Sequence, residues 1–307
     1  MLLRFTVLAS GSGGNASLVE TDGFGVLLDA GLGPRQLASR LAAVGLSWAR
    51  VQAVVLTHTH TDHWKDRTLA HLRTRHVPFY CHADHHRALG AYSPAFAGLT
   101  SAGLVRPFEA GQEIVFSAGL RCRPLPIRHD GGATFGFRFE GTPDLFGQAA
   151  SLAYAADLGC WDDALADAMS DVDLLAVEFN HDEDMERTSG RSPYLVARVL
   201  GDEGHLSNAQ GAALLRAVLA RTPPGRLRHV VQLHLSRDCN RPALARAAAQ
   251  AVLNGKAETT LHTAEQDYPG TTFVLGAGPD RPRRRGPQKK RAPRAASGQQ
   301  SLPGLGE

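Results

Sequence analysis

Runs and alternations of apolar residues divide the chain into short strands and helices. Phe5 to Leu8, Ala16 to Glu20 and Gly25 to Asp29 read as strands separated by Gly-rich turns. Gly33-Pro34 opens a helix whose apolar positions Leu37, Leu41 and Val44 follow i, i+4, i+7, and Gly45 ends it. Val51 to Leu56, apolar except at Gln52 and rich in valine, reads as a strand buried on both faces. A helix from about Asp66 to Arg75, a strand from Pro78 to Cys81 and a helix from Asp84 to Leu89 follow. The stretch Val105 to Ala156 is strand-rich, with strands at Glu113 to Phe116, Leu120 to Ile127, Thr134 to Phe139 and Ser151 to Ala155. Beyond it come a helix from Asp162 to Met169, a buried strand from Leu174 to Glu178 and a helix from Tyr194 to Leu200. Ser207 and Gln210 fit a capping box that opens a helix to Ala220. Val230 to Leu233 is a strand, Pro242 to Leu253 a helix, and Thr272 to Leu275 closes the fold. No solenoid repeat is visible. The order β-rich, helical, β-rich, helical predicts an α/β protein of two half-domains, a four-layer αββα sandwich with the sheets face to face.

Composition narrows the setting. The chain has 307 residues, 43% of them hydrophobic, which supports a sizeable core. No apolar run reaches 18 residues, so no membrane span is expected. The start, Met1 to Ala9, is broken by Arg4 and runs into Ser10-Gly11-Ser12-Gly13-Gly14-Asn15; it reads as a strand and turn rather than a signal peptide. Cys81, Cys122, Cys160 and Cys239 are scattered, which suits free thiols in a reducing cytoplasm. Net charge is +3, but unevenly spread. From Pro279 to Glu307 there are eight basic and two acidic residues, so this stretch carries +6 and the rest of the chain −3. Rich in Pro, Gly, Gln and Ser and without apolar periodicity, residues 279–307 are expected to form a disordered basic tail behind one folded domain, residues 1–278. Such an arm can hold nucleic acid electrostatically or simply solubilise the protein.

The densest chemistry lies in Thr57-His58-Thr59-His60-Thr61-Asp62-His63, directly after an apolar strand. Three imidazoles and a carboxylate are ligand types that first-row divalent metals take. His58 and His60 can share one side of an extended segment, while Asp62 and His63 can reach a second ion. Three further residues share the setting of His58. His129 follows the strand ending at Ile127, Asp157 the strand ending near Ala156, and His234 the strand ending at Leu233. Ligand types at several strand ends imply one shared site on a rim of the sheets.

His58-x-His60-x-Asp62-His63, with His129, Asp157 and His234, resembles the metallo-β-lactamase superfamily over roughly residues 3 to 275. The resemblance implies that His58, His60 and His129 bind one divalent ion, that Asp62, His63 and His234 bind another, and that Asp157 bridges them. It also implies that Asp29, in Leu27-Leu28-Asp29-Ala30-Gly31, braces the ligand loop. Gly204-His205-Leu206-Ser207 resembles a segment of the tRNA 3′-processing endonucleases, in which a His paired with a Glu helps protonate the leaving oxygen. By that analogy His205 is a candidate general acid and Glu178 its orienting partner; with Asp62 they are the candidate catalytic residues.

The whole pattern resembles the YycJ/WalJ-like (VicX-like) branch of the superfamily. The resemblance rests on Val7 to Asn15, on Glu178-Phe179-Asn180-His181-Asp182, on Gly204 to Asn208, and on His234-Leu235-Ser236-Arg237-Asp238-Cys239-Asn240-Arg241-Pro242. It implies a 5′-to-3′ exonuclease acting on DNA in preference to RNA, with a link to DNA repair. Cys239, where a carboxylate or amide is expected, and the basic tail depart from that pattern. Asp157 and His234 are too close in sequence to admit the extra domain of β-CASP nucleases. Arg237, Arg241 and the turn Ser10 to Asn15 are candidate substrate contacts. A small-molecule thioester or lactone hydrolase of the same superfamily would use the same ligands but gives no role to His205 and Glu178. Zinc and manganese both suit the donor set, and a homodimer is compatible with it.

Overall fold

The structure, a computed structural model, describes residues 2–276 except 118 and 146. The basic tail 279–307, and with it the expected boundary at 278, lies outside the described residues. The first half of the chain runs β1 (Leu3–Ala9), β2 (Ala16–Thr21), β3 (Phe24–Leu28), α1 (Pro34–Ala43), β4 (Ala53–Val55), α2 (Asp66–Thr74), β5 (Phe79–His82), α3 (His85–Tyr92), α4 (Pro94–Ser101) and β6 (Val105–Phe108). The second half begins with β7 (Ile114–Ser117), β8 (Leu120–Ile127), β9 (Thr134–Gly141) and β10 (Ser151–Ala155). It continues with α5 (Asp163–Ala168), β11 (Leu174–Glu178), α6 (Glu183–Arg187), α7 (Pro193–Leu200) and α8 (Asn208–Arg221). It ends with β12 (His229–Leu233), α9 (Pro242–Leu253), β13 (Thr260–Thr263) and β14 (Phe273–Leu275).

Two seven-stranded sheets result, ordered β14-β1-β2-β3-β4-β5-β6 and β13-β12-β11-β10-β9-β8-β7. Strands β3 to β6 pair in parallel, and so do β10 to β13; the other pairs are antiparallel. Parallel pairs need crossovers, and helices supply most of them.

Apolar residues on both faces of each sheet set the layers. Phe5, Val26, Val55, Phe137, Phe139, Tyr154 and Leu233 fill the space between the sheets. Leu27 and Val54 face the other way, against Leu37, Leu41, Leu69, Leu72 and Leu99 of α1, α2 and α4. Leu175 and Val177 meet Leu165, Leu214, Leu215 and Val218 of α5 and α8, with Ala245 and Ala249 of α9. Val26 and Leu28 point inward and Leu27 outward on the same strand. Burial on both sides is why these strands read as unbroken apolar runs. The αββα sandwich expected from element order is the observed architecture.

Several elements differ from the expectation. β4 is three residues long, shorter at both ends than the stretch Val51 to Leu56, and the ligand loop follows it. α4 was not expected, although Ser93 caps it through Phe96 N–H at 3.0 Å and Pro94 opens it. α6 is five residues long, too short for an apolar period to show. β13 is half-exposed along a sheet edge and has no buried alternation. β6 is also an edge strand and carries Arg106 and Pro107 exposed, a composition that reads as loop. Among the described residues no helix is long and apolar enough to cross a membrane, and all four cysteines are free thiols.

Phe137 is fully buried between the sheets. Phe137→Ala is expected to lower stability by about 3–5 kcal/mol in urea denaturation. Val115→Ala, on an exposed strand position, is expected to stay within about 0.5 kcal/mol. Equal effects of the two substitutions would contradict a close-packed layer between the sheets.

Candidate metal centre

The strand ends gather the candidate ligands on one rim. Asp29 follows β3 directly, and His234 follows β12 directly. His58 stands beyond β4, His129 beyond β8 and Asp157 beyond β10. Asp29, Asp157 and His234 hold left-handed backbone, with φ of 61°, 56° and 55°. Residues other than glycine seldom adopt that conformation. Here it turns the chain sharply at the end of a strand, and such strain gathers at functional sites.

Ligand atoms of His58, His60 and His129 lie within 4.8 Å of one another, as do those of Asp62, His63 and His234. A third group, His58, His63 and Asp157, joins the first two. His60 Nδ1 is 3.2 Å from His129 Nε2. Asp62 Oδ2 is 3.6 Å from His63 Nε2 and 3.7 Å from His234 Nε2. Donors at about 2.0–2.2 Å from a tetrahedral ion sit about 3.3–3.6 Å apart, close to these spacings. Nε2 of His58 and Nε2 of His234 are buried with no hydrogen-bond partner among the described residues. Buried acceptors left unpaired are costly, and a cation at each removes the cost. The residues therefore fit divalent ions.

Each imidazole is aimed by a bond to its other nitrogen, the arrangement that orients metal-ligating histidines. His63 Nδ1 donates to Asp29 Oδ2 at 2.7 Å. His129 Nδ1 donates to Gly204 O at 2.8 Å. His234 Nδ1 lies 3.0 Å from Glu178 Oε1. Thr57 Oγ1 is 3.1 Å from His58 Nδ1, and Asp130 Oδ1 is 3.5 Å from His60 Nε2. Asp29 also accepts the Thr57 N–H at 2.8 Å, so one carboxylate pins both the start of the loop and its last histidine. Gly131 seats the His58 ring: a Cβ there would come 2.2 Å from His58 Cδ2.

Charge balance explains the protonation pattern. Burial, then the neighbouring His63, keeps the His58 pKa well below its ordinary value, which favours the neutral ligand form. Burial disfavours the Asp157 carboxylate, but His234 and His63 outweigh it and hold the pKa well below the usual range. Glu178, also fully buried, is pulled against its burial to about 2 by His205 and then His234.

Glu178 and His205 are brought together as expected. Glu178 is the last residue of β11 and lies inside the protein, not on its surface. Its Oε1 is 2.8 Å from His205 Nδ1, and its Oε2 accepts the N–H groups of Leu158 at 2.8 Å and Leu206 at 3.2 Å. His205 Nδ1 is 3.6 Å from Asp157 Oδ1, so the pair borders the ligand cluster.

Of the residues expected to touch substrate, Ser10 and Asn15 are buried in the wall of the site. Ser10 Oγ accepts the His234 N–H at 2.8 Å. Asn15 Nδ2 lies 3.2 Å from Asp62 Oδ2 and 3.0 Å from His63 Nε2. Both therefore shape the ligand positions instead of facing solvent. Arg237 is exposed but engaged, bonded to Gln266 at 2.9 Å and to Asp267 at 2.6 Å. Arg241 bonds the carbonyl of Asn240 at 2.7 Å.

Thr57, Asp130 and Asn180 are supporting residues that sequence reasoning missed. Asn180 Nδ2 donates to the His234 carbonyl at 2.8 Å. Asn208 and Asn240 pair their amides reciprocally, at 2.9 and 3.0 Å, and tie the starts of α8 and α9 together. The available signal was their position inside the segments around Glu178, His205 and His234.

Fold and donor set together define a metal-dependent hydrolase. A family model for the β-lactamase superfamily domain matches residues 25–223. The chain is 28% identical over 242 residues to exodeoxyribonuclease WalJ of Streptococcus pneumoniae, covering 79% of this chain and 85% of that protein. It is 28% identical over 264 residues to exodeoxyribonuclease YycJ of Bacillus anthracis, covering 83% and 91%. Among solved structures, the metallo-β-lactamase fold protein YhfI of Bacillus subtilis superposes with a TM-score of 0.63 at 18% identity, over 89% of this chain and all of that one. The chain belongs to the metallo-β-lactamase superfamily.

Two substitutions separate the two halves of the centre. Asp29→Ala is expected to lower the affinity of the Asp62, His63 and His234 group for a divalent ion by about 10–100-fold, more than that of the His58, His60 and His129 group. Gly131→Ala is expected to weaken the ion held by His58, His60 and His129. Stepwise metal titration with equilibrium dialysis reads each site; an equal loss at both in each variant would contradict the assignment.

Proposed function

We propose that the chain is a two-metal phosphodiesterase that removes nucleotides from the 5′ end of DNA. The observation that carries this reading is the Glu178–His205 pair beside the ligand cluster. The thiolate leaving a thioester departs without such help, whereas an alkoxide leaving a phosphodiester is poor without a positioned proton donor. The likeness to two exodeoxyribonucleases supports the same substrate class.

His58, His60 and His129 would hold one ion and Asp62, His63 and His234 the other, with Asp157 between. When bound, the ions supply Lewis acidity toward the phosphoryl oxygens and allow hydrolysis near neutral pH. The protein's own residues supply the rest. Glu178 fixes the His205 ring through Nδ1, which leaves Nε2 to deliver a proton to the departing oxygen. Asp29, Asn15 and Asn180 keep the surrounding groups from shifting as charge develops. Imidazole ligands favour zinc and the carboxylates tolerate manganese. With a body charge of −3, contact with DNA relies on local cations and the centre itself rather than on a general positive field. A cytoplasmic enzyme that trims 5′ ends suits the processing of broken strands, which is the link to DNA repair.

Oligonucleotides of DNA and RNA, labelled at the 5′ or 3′ end, test this with zinc or manganese added back. Release of labelled mononucleotide from the 5′ end of DNA is expected. His60→Ala and Asp62→Ala should abolish it. His205→Ala should keep its metal and lose about 10²–10⁴-fold in kcat. Full phosphodiesterase activity in His205→Ala, or faster turnover of thioesters than of DNA, would favour the small-molecule hydrolase.

A further inference from the structure

Beside the metal centre lies a groove of about 300 Å³ that the reaction outlined above leaves unused. Its wall includes Ser10, Leu235, Arg237, Arg241, Gln266 and Tyr268. It shares a partition with the metal site. Ser10 lines the groove and holds the His234 backbone, and Asn15, at the other end of the same turn, contacts Asp62 and His63. The Gln266 side chain lies against that turn, where a Cβ on Gly13 would meet its amide at 1.6 Å.

Two features give the groove a chemical preference. Tyr268 is 69% exposed, and the Arg40 guanidinium lies over its ring, 5.9 Å from the centroid. An open aromatic surface is a stacking platform for a nucleobase. Arg241 carries the second feature. Its guanidinium is held by two carbonyls, Asn240 O at 2.7 Å and Arg237 O at 3.5 Å. These fix its position without neutralising it, and among the described residues no carboxylate pairs with it. Arg237, in contrast, is neutralised by Asp267 at 2.6 Å.

We propose that this groove binds one nucleotide of the substrate strand, with the base against Tyr268 and its phosphate at Arg241. The volume falls at the lower end of the roughly 300–1,000 Å³ of small-ligand pockets, enough for one nucleotide but not two. The assignment rests on the nuclease reading for its biological meaning. Its binding test does not depend on cleavage.

Equilibrium binding of dAMP and of deoxyadenosine to the metal-loaded protein provides that test. Wild type should bind dAMP more tightly than deoxyadenosine. Tyr268→Ala should weaken both by about tenfold, and Tyr268→Phe should restore them. Arg241→Gln should weaken dAMP alone and remove the preference. Metal content and thermal midpoint report folding of each variant. On a DNA oligonucleotide, Tyr268→Ala should raise KM while kcat holds. No dAMP binding by wild type, or equal dAMP binding in wild type and Tyr268→Ala, overturns the groove assignment. Absence of DNA cleavage with these binding differences intact would instead overturn the nuclease reading and leave a nucleotide site in place.

Discussion

Asp157 is a carboxylate buried between two sheets, and the site depends on how its charge is balanced. An isolated ion in that position would cost far more than the fold can supply. Imidazoles from four separate loops surround it: His63 at 2.9 Å, His234 at 3.3 Å, His205 at 3.6 Å and His129 at 3.9 Å. Two cations held by the same side chains would meet the same demand more completely. Glu178 repeats the pattern a step further out, balancing His205 and His234 against its own burial. The site is therefore a set of buried charges that satisfy one another only when every strand ends where it does.

That requirement explains the backbone. The sheets carry the parallel strands to a common rim, and left-handed turns at Asp29, Asp157 and His234 end them abruptly. Apolar packing on both faces of the sheets makes the rim rigid. The supporting bonds come from residues just outside the strands: Thr57 beside Asp29, Asn180 beside His234, Gly204 beneath His129. Rigidity in the layers thus becomes precision in the positions of the ligand nitrogens.

Much of this was legible in the chain itself. The fold was readable because doubly buried strands leave apolar runs and the helices between them carry clear start signals. The ligands were readable because they cluster after one strand or cap another. What escaped notice has a physical reason in each case. Edge strands β6 and β13 bury too little to show alternation, and α6 is shorter than two turns. Asn15 was placed on the substrate side because a Gly-rich turn resembles an anion-binding loop, but its side chain turns inward to the ligands, while Ser10 holds the His234 backbone. Asn208 and Asn240 pair across 32 positions of sequence, and nothing local marks either as half of a pair.

The ligand cluster and the Glu178–His205 pair form one connected network, and the groove beside His234 shares its wall. Substrate placement and hydrolysis would thus draw on the same few turns. The most direct test of this account is anomalous diffraction at the zinc and manganese edges, on protein never exposed to chelators. The account predicts two peaks, one on each side of the Asp157 carboxylate. One peak alone, or none, with Asp157 turned away from the histidines, would contradict it.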